Sequence, residues 1–289
     1  MNALLADLLQ VLRLERLELD LFRGESRDPG HRRVFGGQVL GQALAAAYAT
    51  IQGRDVHSLH AYFLRAGDPD HPIIYEVDRS RDGTSFSSRR VVAIQHGEQI
   101  FHMSASFQVV EQGIDRHGDM PHAPDPDSLP DMAVALEEMR QRVPDRPQPL
   151  VNPQLPFEFR PAVMPDPRGE VLREPHMKIW LRAIDPLPDD EVLHRTLLAY
   201  ASDYYLLGTA GMDGRLSFSR KDVQVASVDH AMWFHRPVRV DDWLLYVMDS
   251  PTASGSRGFS RGSIFSRDGR LVASTAQEGL IRRRPQTGG

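Results

Sequence analysis

One acidic residue stands in a segment that is otherwise rich in leucine, alanine and tyrosine. Asp203 follows such a run and is itself followed by two tyrosines and two leucines. Apolar residues at three- and four-residue steps predict a helix over 189–207. Burial there would disfavour the charged form of a carboxylate, and a carboxylate held in this way is suited to accept a proton from water. A purely structural carboxylate, bonded to neighbouring groups, is the alternative.

A second polar candidate, Ser227, lies in an extended segment over 224–236. A serine nucleophile is disfavoured, because Ser227 is in mid-strand and the Gly-x-Ser-x-Gly match at 258–262 leads to a hairpin instead of a strand-to-helix turn. His230 and His235 would point to opposite faces of the strand and have no third ligand nearby. The sequence therefore predicts no metal site.

Two further positions could bind a water molecule or a carbonyl oxygen. Gln277 lies in a strand of mostly small and apolar residues, where its amide could orient a water or simply satisfy a backbone group. Gly37 and Gln38 stand at the start of a predicted helix, where backbone amides are free to face an anion. A double glycine is equally typical of a tight turn or of close packing, and no dinucleotide or Walker motif accompanies it.

The elements that must position these residues form two similar halves. At a constant offset of 171 positions, Phe234 aligns with Phe63, Arg236 with Arg65, Asp241 with Asp70, Arg261 with Arg90 and Ala276 with Ala105. Hairpin signals coincide at the same offset, which predicts a structural duplication. The polar residues are not duplicated, since Ser106 stands at the position equivalent to Gln277. One site per chain is therefore expected.

Each half has the pattern of one apolar helix and about five strands. Helices are predicted at 37–50 and 189–207, first strands at 17–22 and 177–184, and further strands at 56–64, 73–79, 85–95, 100–110, 224–235, 243–249, 256–266 and 271–282. This pattern predicts an α+β fold with two antiparallel sheets, each wrapped around a long central helix. The halves are assigned to 1–111 and 174–289. The Pro-rich segment 112–173 reads as a linker with one helix at 130–142.

Composition excludes several classes of protein. The 289 residues are 41% hydrophobic and 25% charged, which is typical of a globular chain, and the net charge of −5 argues against nucleic acid as a partner. The absence of cysteine excludes disulfides, thiolate metal sites and a cysteine nucleophile. No segment approaches the ~18 consecutive apolar residues of a membrane span, and residues 1–12 resemble an amphipathic helix more than a signal peptide. We expect no membrane insertion and a cytoplasmic location.

Several of these segments together resemble the acyl-CoA thioesterase II family, whose fold is the double hotdog. The resemblance is carried by residues 33–43 and 57–64 in the first half and by 198–203, 229–237 and 274–279 in the second. In that family an Asp on the second helix, a Thr or Ser on the following strand and a Gln on the last strand hold and activate the hydrolytic water. The corresponding residues here are Asp203, Ser227 and Gln277.

The resemblance implies hydrolysis of fatty acyl-CoA to a fatty acid and CoA without a covalent nucleophile. Asp203 would accept a proton from a water that Ser227 and Gln277 orient. A helix-terminal amide at Gly37, with Gln38 beside it, would stabilise the developing oxyanion. No cofactor is implied, because coenzyme A is part of the substrate.

The phosphates of CoA predict a cationic binding region although the whole chain is acidic. The candidates are Arg89, Arg90, Arg257 and Arg261, with Arg79 and Arg81 nearby. Solvated charges at strand ends are the alternative for each of them. Edge strands that would otherwise stay unpaired further predict self-association, as a homodimer or homotetramer.

Two other functions remain open from the sequence. A hotdog-type hydratase or dehydratase acting on enoyl or β-hydroxyacyl thioesters would use an Asp and a His, for which His60 and His230 are candidates. A non-catalytic acyl-CoA-binding module would keep the duplicated fold without turnover. Release of free thiol distinguishes a thioesterase from both.

Overall fold

The computed structural model describes residues 1–28, 30, 32–142, 155–163, 175–211 and 223–283. The first half contains α1 (Ala3–Leu12), β1 (Glu15–Glu18), β2 (Leu21–Gly24), α2 (Gly36–Tyr48), β3 (Asp55–Phe63), β4 (Ile73–Asp82), β5 (Phe86–Gln95) and β6 (Glu98–Gln108). A 3₁₀ turn (Pro126–Ser128), α3 (Met132–Arg142) and β7 (Phe157–Val163) follow. The second half contains β8 (His176–Ala183), α4 (Glu191–Ser202), α5 (Leu206–Ala210), β9 (Val223–Ser227), β10 (Asp229–Phe234), β11 (Leu244–Ser254), β12 (Arg257–Ser266) and β13 (Leu271–Arg283). None of the described helices is long and apolar enough to cross a bilayer.

The described strands form one continuous antiparallel sheet, in place of the two sheets predicted. Their order is β1-β2-β4-β5-β6-β3-β10-β13-β12-β11-β8-β7, and β9 pairs with β13 beside this path. The halves are joined where β3 pairs with β10. Because these two strands share backbone hydrogen bonds, the sheet of one half continues without interruption into the sheet of the other.

Pairing at this seam has the symmetry of a duplication. Ala231 lies opposite His60, and it also lies 171 positions after His60 in the chain. This pair lies at the centre of the seam, and the pairings on its two sides are related by a local pseudo-twofold axis, since His230 faces Ala61 and Met232 faces Leu59. The strand order runs outward through β6, β5 and β4 on one side and through β13, β12 and β11 on the other. The 171-residue offset thus describes the strands on both sides of the seam.

Helix α2 covers the inner face of the first half. Its residues Leu40, Ala43, Leu44 and Ala47 are fully buried against β4, β5 and β6. A buried amide on the same helix, Gln42, accepts a hydrogen bond from the Tyr75 hydroxyl (2.7 Å) and donates to backbone carbonyls, so its burial leaves no polar atom unpaired. The predicted helix at 37–50 is confirmed within two residues.

The single long helix predicted for the second half is wrong. Helix α4 ends at Ser202, and Asp203 follows it as the C-cap residue. Tyr205 has a left-handed backbone conformation (φ 63°), after which the short helix α5 begins. Helix α4 packs against α2, whereas α5 packs on β11, β12 and β13. Because of the turn at Tyr205, two helices occupy the place where one helix was predicted, and they pack against different elements.

Three other predicted segments differ in detail. The first strand, expected at 17–22, is the hairpin of β1 and β2. The strand expected at 224–235 is interrupted at Val228, whose backbone bonds to Glu278 and Phe63 instead of continuing one ladder. The segment expected to be a linker contains β7, which pairs with β8. The boundary expected at residues 173 and 174 lies outside the described residues.

Candidate active site

Asp203, Ser227 and Gln277 are brought together on the inner side of the sheet from three separate elements. Nε2 of Gln277 donates to Oδ1 of Asp203 (2.8 Å) and to Oγ of Ser227 (2.9 Å). The Gln277 side chain is fully buried. The orientation of its amide follows from these partners, because an ionised carboxylate can only accept. One amide group thus connects the three residues predicted from the sequence.

The end of helix α4 positions Asp203. The chain leaves the helix at this residue and reverses through Tyr205, whose positive φ is uncommon for a residue with a Cβ atom and costs on the order of 1–3 kcal/mol. The Tyr205 ring packs edge-on against Phe159 at a centroid distance of 5.1 Å. Packing of the Tyr205 ring therefore offsets the conformational free energy of the turn, and the turn directs Asp203 toward helix α2 and strand β13.

The double glycine lets helix α2 approach Asp203 closely. A Cβ atom on Gly36 would lie 2.6 Å from Oδ2 of Asp203, and one on Gly37 would lie 2.3 Å from the carbonyl oxygen of Tyr200. Both distances are too short for a side chain. The backbone N–H of Gly37 faces the Asp203 carboxylate and acts to lower its pKa. Close packing, one of the alternatives from the sequence, therefore accounts for both glycines.

The residues predicted to stabilise an oxyanion already have partners. The N–H of Gly37 faces the Asp203 carboxylate, as described above. The backbone N–H of Gln38 donates to the carbonyl oxygen of Phe35 (3.0 Å), and its side-chain Nε2 donates to the backbone carbonyl oxygen of Glu25 (3.2 Å). An oxyanion role for either amide therefore requires it to exchange its partner, and it stays a prediction.

Burial is the main influence on the charge of Asp203. Desolvation raises the pKa of this carboxyl, and the hydrogen bonds from Gln277 and Gly37 only partly oppose that effect. The hydroxyls of Tyr200 and Tyr204 bond to each other (3.2 Å), and burial raises the pKa of both, so they remain neutral. A carboxylate with a raised pKa is a stronger base than one in water. The site therefore favours proton uptake by Asp203.

An aromatic cluster lies next to Asp203, around the following residue Tyr204. Phe35 packs on Tyr204 with ring centroids 4.6 Å apart, and Phe159 packs on Tyr204 at 5.2 Å. Tyr200 and Phe157 complete the cluster. Phe157 and Phe159 were not predicted as site residues from the sequence, because they lie in the segment expected to be a linker. The alternation of phenylalanine with Glu158 and Arg160 is the strand signal that could have identified them.

Two buried polar atoms beside the site have no hydrogen-bond partner among the described residues. They are Oε1 of Gln277 and Oγ of Ser260, and the two residues lie opposite each other in the pairing of β12 with β13. The amide oxygen is an acceptor that a water or a substrate group can use. Ser260 lies in mid-strand, which confirms that the Gly-x-Ser-x-Gly match does not form a nucleophile turn.

The histidines considered for a hydratase lie on opposite faces of the sheet. His60 is exposed and packs edge-on against Trp233, with ring centroids 5.3 Å apart. His230 is buried, its Nε2 faces Oγ of Ser202 (2.9 Å), and burial lowers its pKa to about 4. His60 is thus separated from Asp203 by the sheet, and His230 is held by a serine of the helix end.

Arg89, which was predicted as a CoA ligand, is instead a buried structural residue. Its side chain is 2% exposed. The five N–H groups of a guanidinium are all engaged here, by Thr50, Asp82 and the carbonyl oxygens of Arg81 and Ser88. No donor is left for a phosphate. The prediction is wrong because the strand register turns Arg89 inward, next to the end of helix α2.

The remaining arginine candidates lie on the exposed face of the sheet. Arg257 pairs with Glu278 (2.8 Å) and Arg261 pairs with Asp249, each with about half of its side chain exposed. Arg90, at the position equivalent to Arg261, is exposed as well. Since Ser260 faces inward toward Gln277, its neighbour Arg261 points to the opposite face. The structure thus does not bring these cations to the buried polar site, and their role stays a prediction.

Both halves of the chain are similar in sequence to known acyl-CoA thioesterases. A family model described as acyl-CoA thioesterase matches residues 151–280, and a model of the acyl-CoA thioesterase N-terminal domain matches residues 25–108. The chain is 41% identical over 283 residues to acyl-CoA thioesterase 2 of Haemophilus influenzae, covering 98% of this chain and 99% of the relative.

Solved structures agree with this similarity. The acyl-CoA thioesterase II TesB2 from Mycobacterium marinum matches with a TM-score of 0.79 and 42% identity, over 97% of this chain and 100% of the other. A protein with a hot dog fold from Alicyclobacillus acidocaldarius matches with a TM-score of 0.76 at 19% identity, over 96% of this chain and 99% of the other. The second similarity concerns the fold alone.

Proposed function

This chain belongs to the acyl-CoA thioesterase family, and from that membership and its site we propose that it hydrolyses fatty acyl-CoA to a fatty acid and free CoA. The observation that carries the proposal is the Gln277 amide, which holds Asp203 and Ser227 together at the double glycine of helix α2. A thioester is already activated, so a positioned water suffices as the nucleophile. No cofactor is required, since CoA is part of the substrate.

In the proposed reaction Asp203 acts as a general base. Gln277 holds Oδ1, and Oδ2 takes a proton from the water whose oxygen attacks the thioester carbonyl carbon. Ser227 accepts from Gln277, which leaves its hydroxyl hydrogen to orient the water. When the tetrahedral intermediate collapses, the carbon–sulfur bond breaks and the CoA thiolate recovers the proton. The acid product and CoA thiol then leave.

The backbone at the start of helix α2 would stabilise the oxyanion. In the resting site the N–H of Gly37 faces the Asp203 carboxylate. Once Asp203 is protonated, the negative charge has moved to the former carbonyl oxygen of the substrate. The positive end of the helix dipole then favours an exchange of partner, from the neutral carboxyl to the oxyanion.

We further assign the fold as a double hotdog, with one hotdog unit on each side of the seam between β3 and β10. The symmetrical strand order supports this assignment. One functional site per chain follows, because Ser106 occupies the position equivalent to Gln277. The acyl chain would run along the aromatic cluster around Tyr204, where apolar contact compensates its removal from water.

A thiol-release assay over a panel of acyl-CoA chain lengths tests this function. Stoichiometric release of CoA and fatty acid by the wild type, lost in Asp203→Asn, is the expected result. Conversion of an enoyl thioester without thiol release would establish the hydratase alternative. Saturable acyl-CoA binding without either reaction would establish the binding module.

The role of the exposed arginines is tested separately. Arg90→Ala and Arg261→Ala should raise KM for acyl-CoA and leave hydrolysis of an acyl-pantetheine, which lacks the nucleotide phosphates, nearly unchanged. Arg140→Ala, on the exposed surface of helix α3, is the matched control. Equal losses on both substrates would assign the arginines to folding or to the catalytic step.

Self-association completes the proposal. Tyr62 and Trp233 are 50% and 36% exposed on the outer face of the sheet, close to the pseudo-twofold seam. These exposed aromatic side chains, and the edges that β1 and β7 form among the described strands, both favour a dimer or tetramer. Sedimentation at micromolar concentration should give a mass above the 32.5 kDa of one chain. A monomer at that concentration would contradict it.

A further inference from the structure

A cluster of two imidazoles and one carboxylate lies outside the site described above. Asp68 and His71 belong to the loop between β3 and β4, and His96 belongs to the hairpin between β5 and β6. Oδ2 of Asp68 faces Nδ1 of His71 at 2.8 Å and Nε2 of His96 at 3.1 Å. The three donor atoms all lie within 4.8 Å of one another. A single carboxylate oxygen thus stands between two ring nitrogens.

The cluster is held by a buried amide. Gln95 is 4% exposed, and its Oε1 accepts from the backbone N–H of Asp68 (2.8 Å). Its Nε2 donates to the carbonyl oxygens of Asp68 (2.9 Å) and His71 (2.8 Å). Because Gln95 directly precedes His96, one residue ties the loop to the hairpin. The two histidines are therefore placed by the backbone, independently of their rings.

Two further features orient the donor atoms. The backbone N–H of Asp70 donates to Oδ1 of Asp68 (2.9 Å), which turns Oδ2 toward the imidazoles. His96 and Gly97 have positive φ values of 51° and 76° in the two-residue hairpin loop. Such loops adopt one preferred geometry, so the position of the His96 ring is limited. The donor set is thus preorganised, as in metal sites whose ligands are fixed by outer hydrogen bonds.

The chemistry of these donors selects a class of cation. Imidazole nitrogen is a ligand for zinc, copper, nickel and cobalt, whereas calcium and magnesium prefer all-oxygen sites. Tetrahedral zinc with bonds of about 2.0–2.2 Å places ligand atoms about 3.3 Å apart. The carboxylate oxygen lies 2.8 Å and 3.1 Å from the two ring nitrogens, so a small outward movement of the rings would admit the ion. The side chains are 36%, 56% and 55% exposed for Asp68, His71 and His96, so water can supply the remaining ligand.

We propose that Asp68, His71 and His96 bind one divalent transition-metal cation of the zinc class at the chain surface. The prediction of no metal site from the sequence was based on His230 and His235. His71 and His96 are 25 positions apart in the chain, and the pairing of β4 with β5 brings them together. The ion would link the loop to the hairpin. The backbone N–H of Val34 donates to the carbonyl oxygen of Gly67 in the same loop (3.0 Å). This bond connects the loop to the segment that precedes the double glycine of helix α2.

Calorimetric titration of the metal-free full chain with zinc chloride tests this proposal. One ion should bind per chain, and His71→Gln and His96→Gln should each weaken the affinity at least about tenfold. His117→Gln, on an exposed histidine outside the cluster, is the matched control and should bind as the wild type. Neither variant of the cluster disturbs the Gln95 bonds, which use only backbone groups of the loop.

Cobalt(II) gives a second readout, since its visible absorption reports ligation by the protein. The absorption should appear with wild type and His117→Gln and be lost in the double variant of His71 and His96. Unchanged circular dichroism and thermal unfolding of the metal-free variants would show that folding is intact. Absence of saturable zinc binding by the wild type, or equal binding by all variants, would overturn the proposal.

Discussion

Replacing Asp203 with asparagine tests the central step of the proposed reaction. Asparagine keeps the shape of the side chain, and its carbonyl oxygen can still accept from Gln277 at the position of Oδ1. The amide nitrogen then occupies the position of Oδ2 beside Gly36, where it cannot take a proton from water. Loss of a general base costs roughly 10² to 10⁴ in rate, so kcat should fall by about 10² or more. At 1.36 kcal/mol per factor of ten, that is about 2.7 kcal/mol or more in the barrier.

The same substitution should not destabilise the fold at neutral pH. Burial raises the pKa of Asp203 in the folded state above its ordinary value of 3.8. The protonated side chain therefore contributes to the stability of the wild type fully below pH 3.8, and this contribution is lost as the pH rises through the folded-state pKa. Asparagine stays neutral throughout. The stability of Asp203→Asn relative to wild type should therefore increase as the pH rises from about 3.8 through the raised folded-state pKa of Asp203.

Steady-state thiol release and chemical denaturation at several pH values measure the two effects, with Asp119→Asn on the exposed surface as the control. The wild-type kcat should also decline with falling pH as the base becomes protonated, at a higher pH than for an exposed carboxyl. A folded Asp203→Asn variant with wild-type kcat would refute the general-base role. A relative stability independent of pH would refute the effect of burial.

Three further substitutions probe the geometry of the site. Ser227→Ala should lower kcat about tenfold. When it is combined with Asp203→Asn, the two losses should be far from additive, because both residues act on one water. Fully additive losses in the thiol-release assay would show that the residues have separate roles. Gly36→Ala places a Cβ atom 2.6 Å from Asp203 Oδ2 and should lower kcat at least about tenfold, whereas Gly113→Ala, which meets open space, should not; equal effects would contradict this contact. Tyr246→Phe removes a buried hydroxyl that bonds to the carbonyl oxygen of Ser202 (3.0 Å) and to Oγ1 of Thr275 (2.8 Å). The free energy of unfolding, measured by chemical denaturation, should fall by about 1–3 kcal/mol. An unchanged value would argue against a stabilising role of these hydrogen bonds.

Local patterns were sufficient for most individual elements. Helix α2 and the strands β4, β5, β11 and β12 begin and end within a few residues of their predicted limits. Their apolar residues recur at the period of the element, and this signal is contained in a short stretch of chain. The constant 171-residue offset also predicted which strands correspond, and the pairing of His60 with Ala231 bears out that correspondence.

Elements whose limits depend on distant contacts were not predicted. The sequence around Tyr205 continues the apolar pattern of a helix, but packing against Phe159 holds the left-handed turn that ends it. Phe159 was itself hidden in a Pro-rich segment. Arg89 and Arg90 are adjacent and identical in type, yet only the strand register and the end of helix α2 decide that Arg89 is buried.

The sequence by itself determined the types of side chain available. Through the family resemblance it also indicated Asp203, Ser227 and Gln277 as the candidate catalytic residues. It also excluded cysteine chemistry and indicated one site for two similar halves. Only the tertiary structure decided that one amide bonds Asp203 and Ser227, across 74 and 50 positions of the chain from Gln277. It likewise placed His71 and His96 against the same carboxylate, and it buried Arg89 while leaving Arg90, Arg257 and Arg261 on the outer face of the sheet. The physical reason is that periodicity acts over a few residues, whereas hydrogen bonds and burial depend on which distant segments share a sheet.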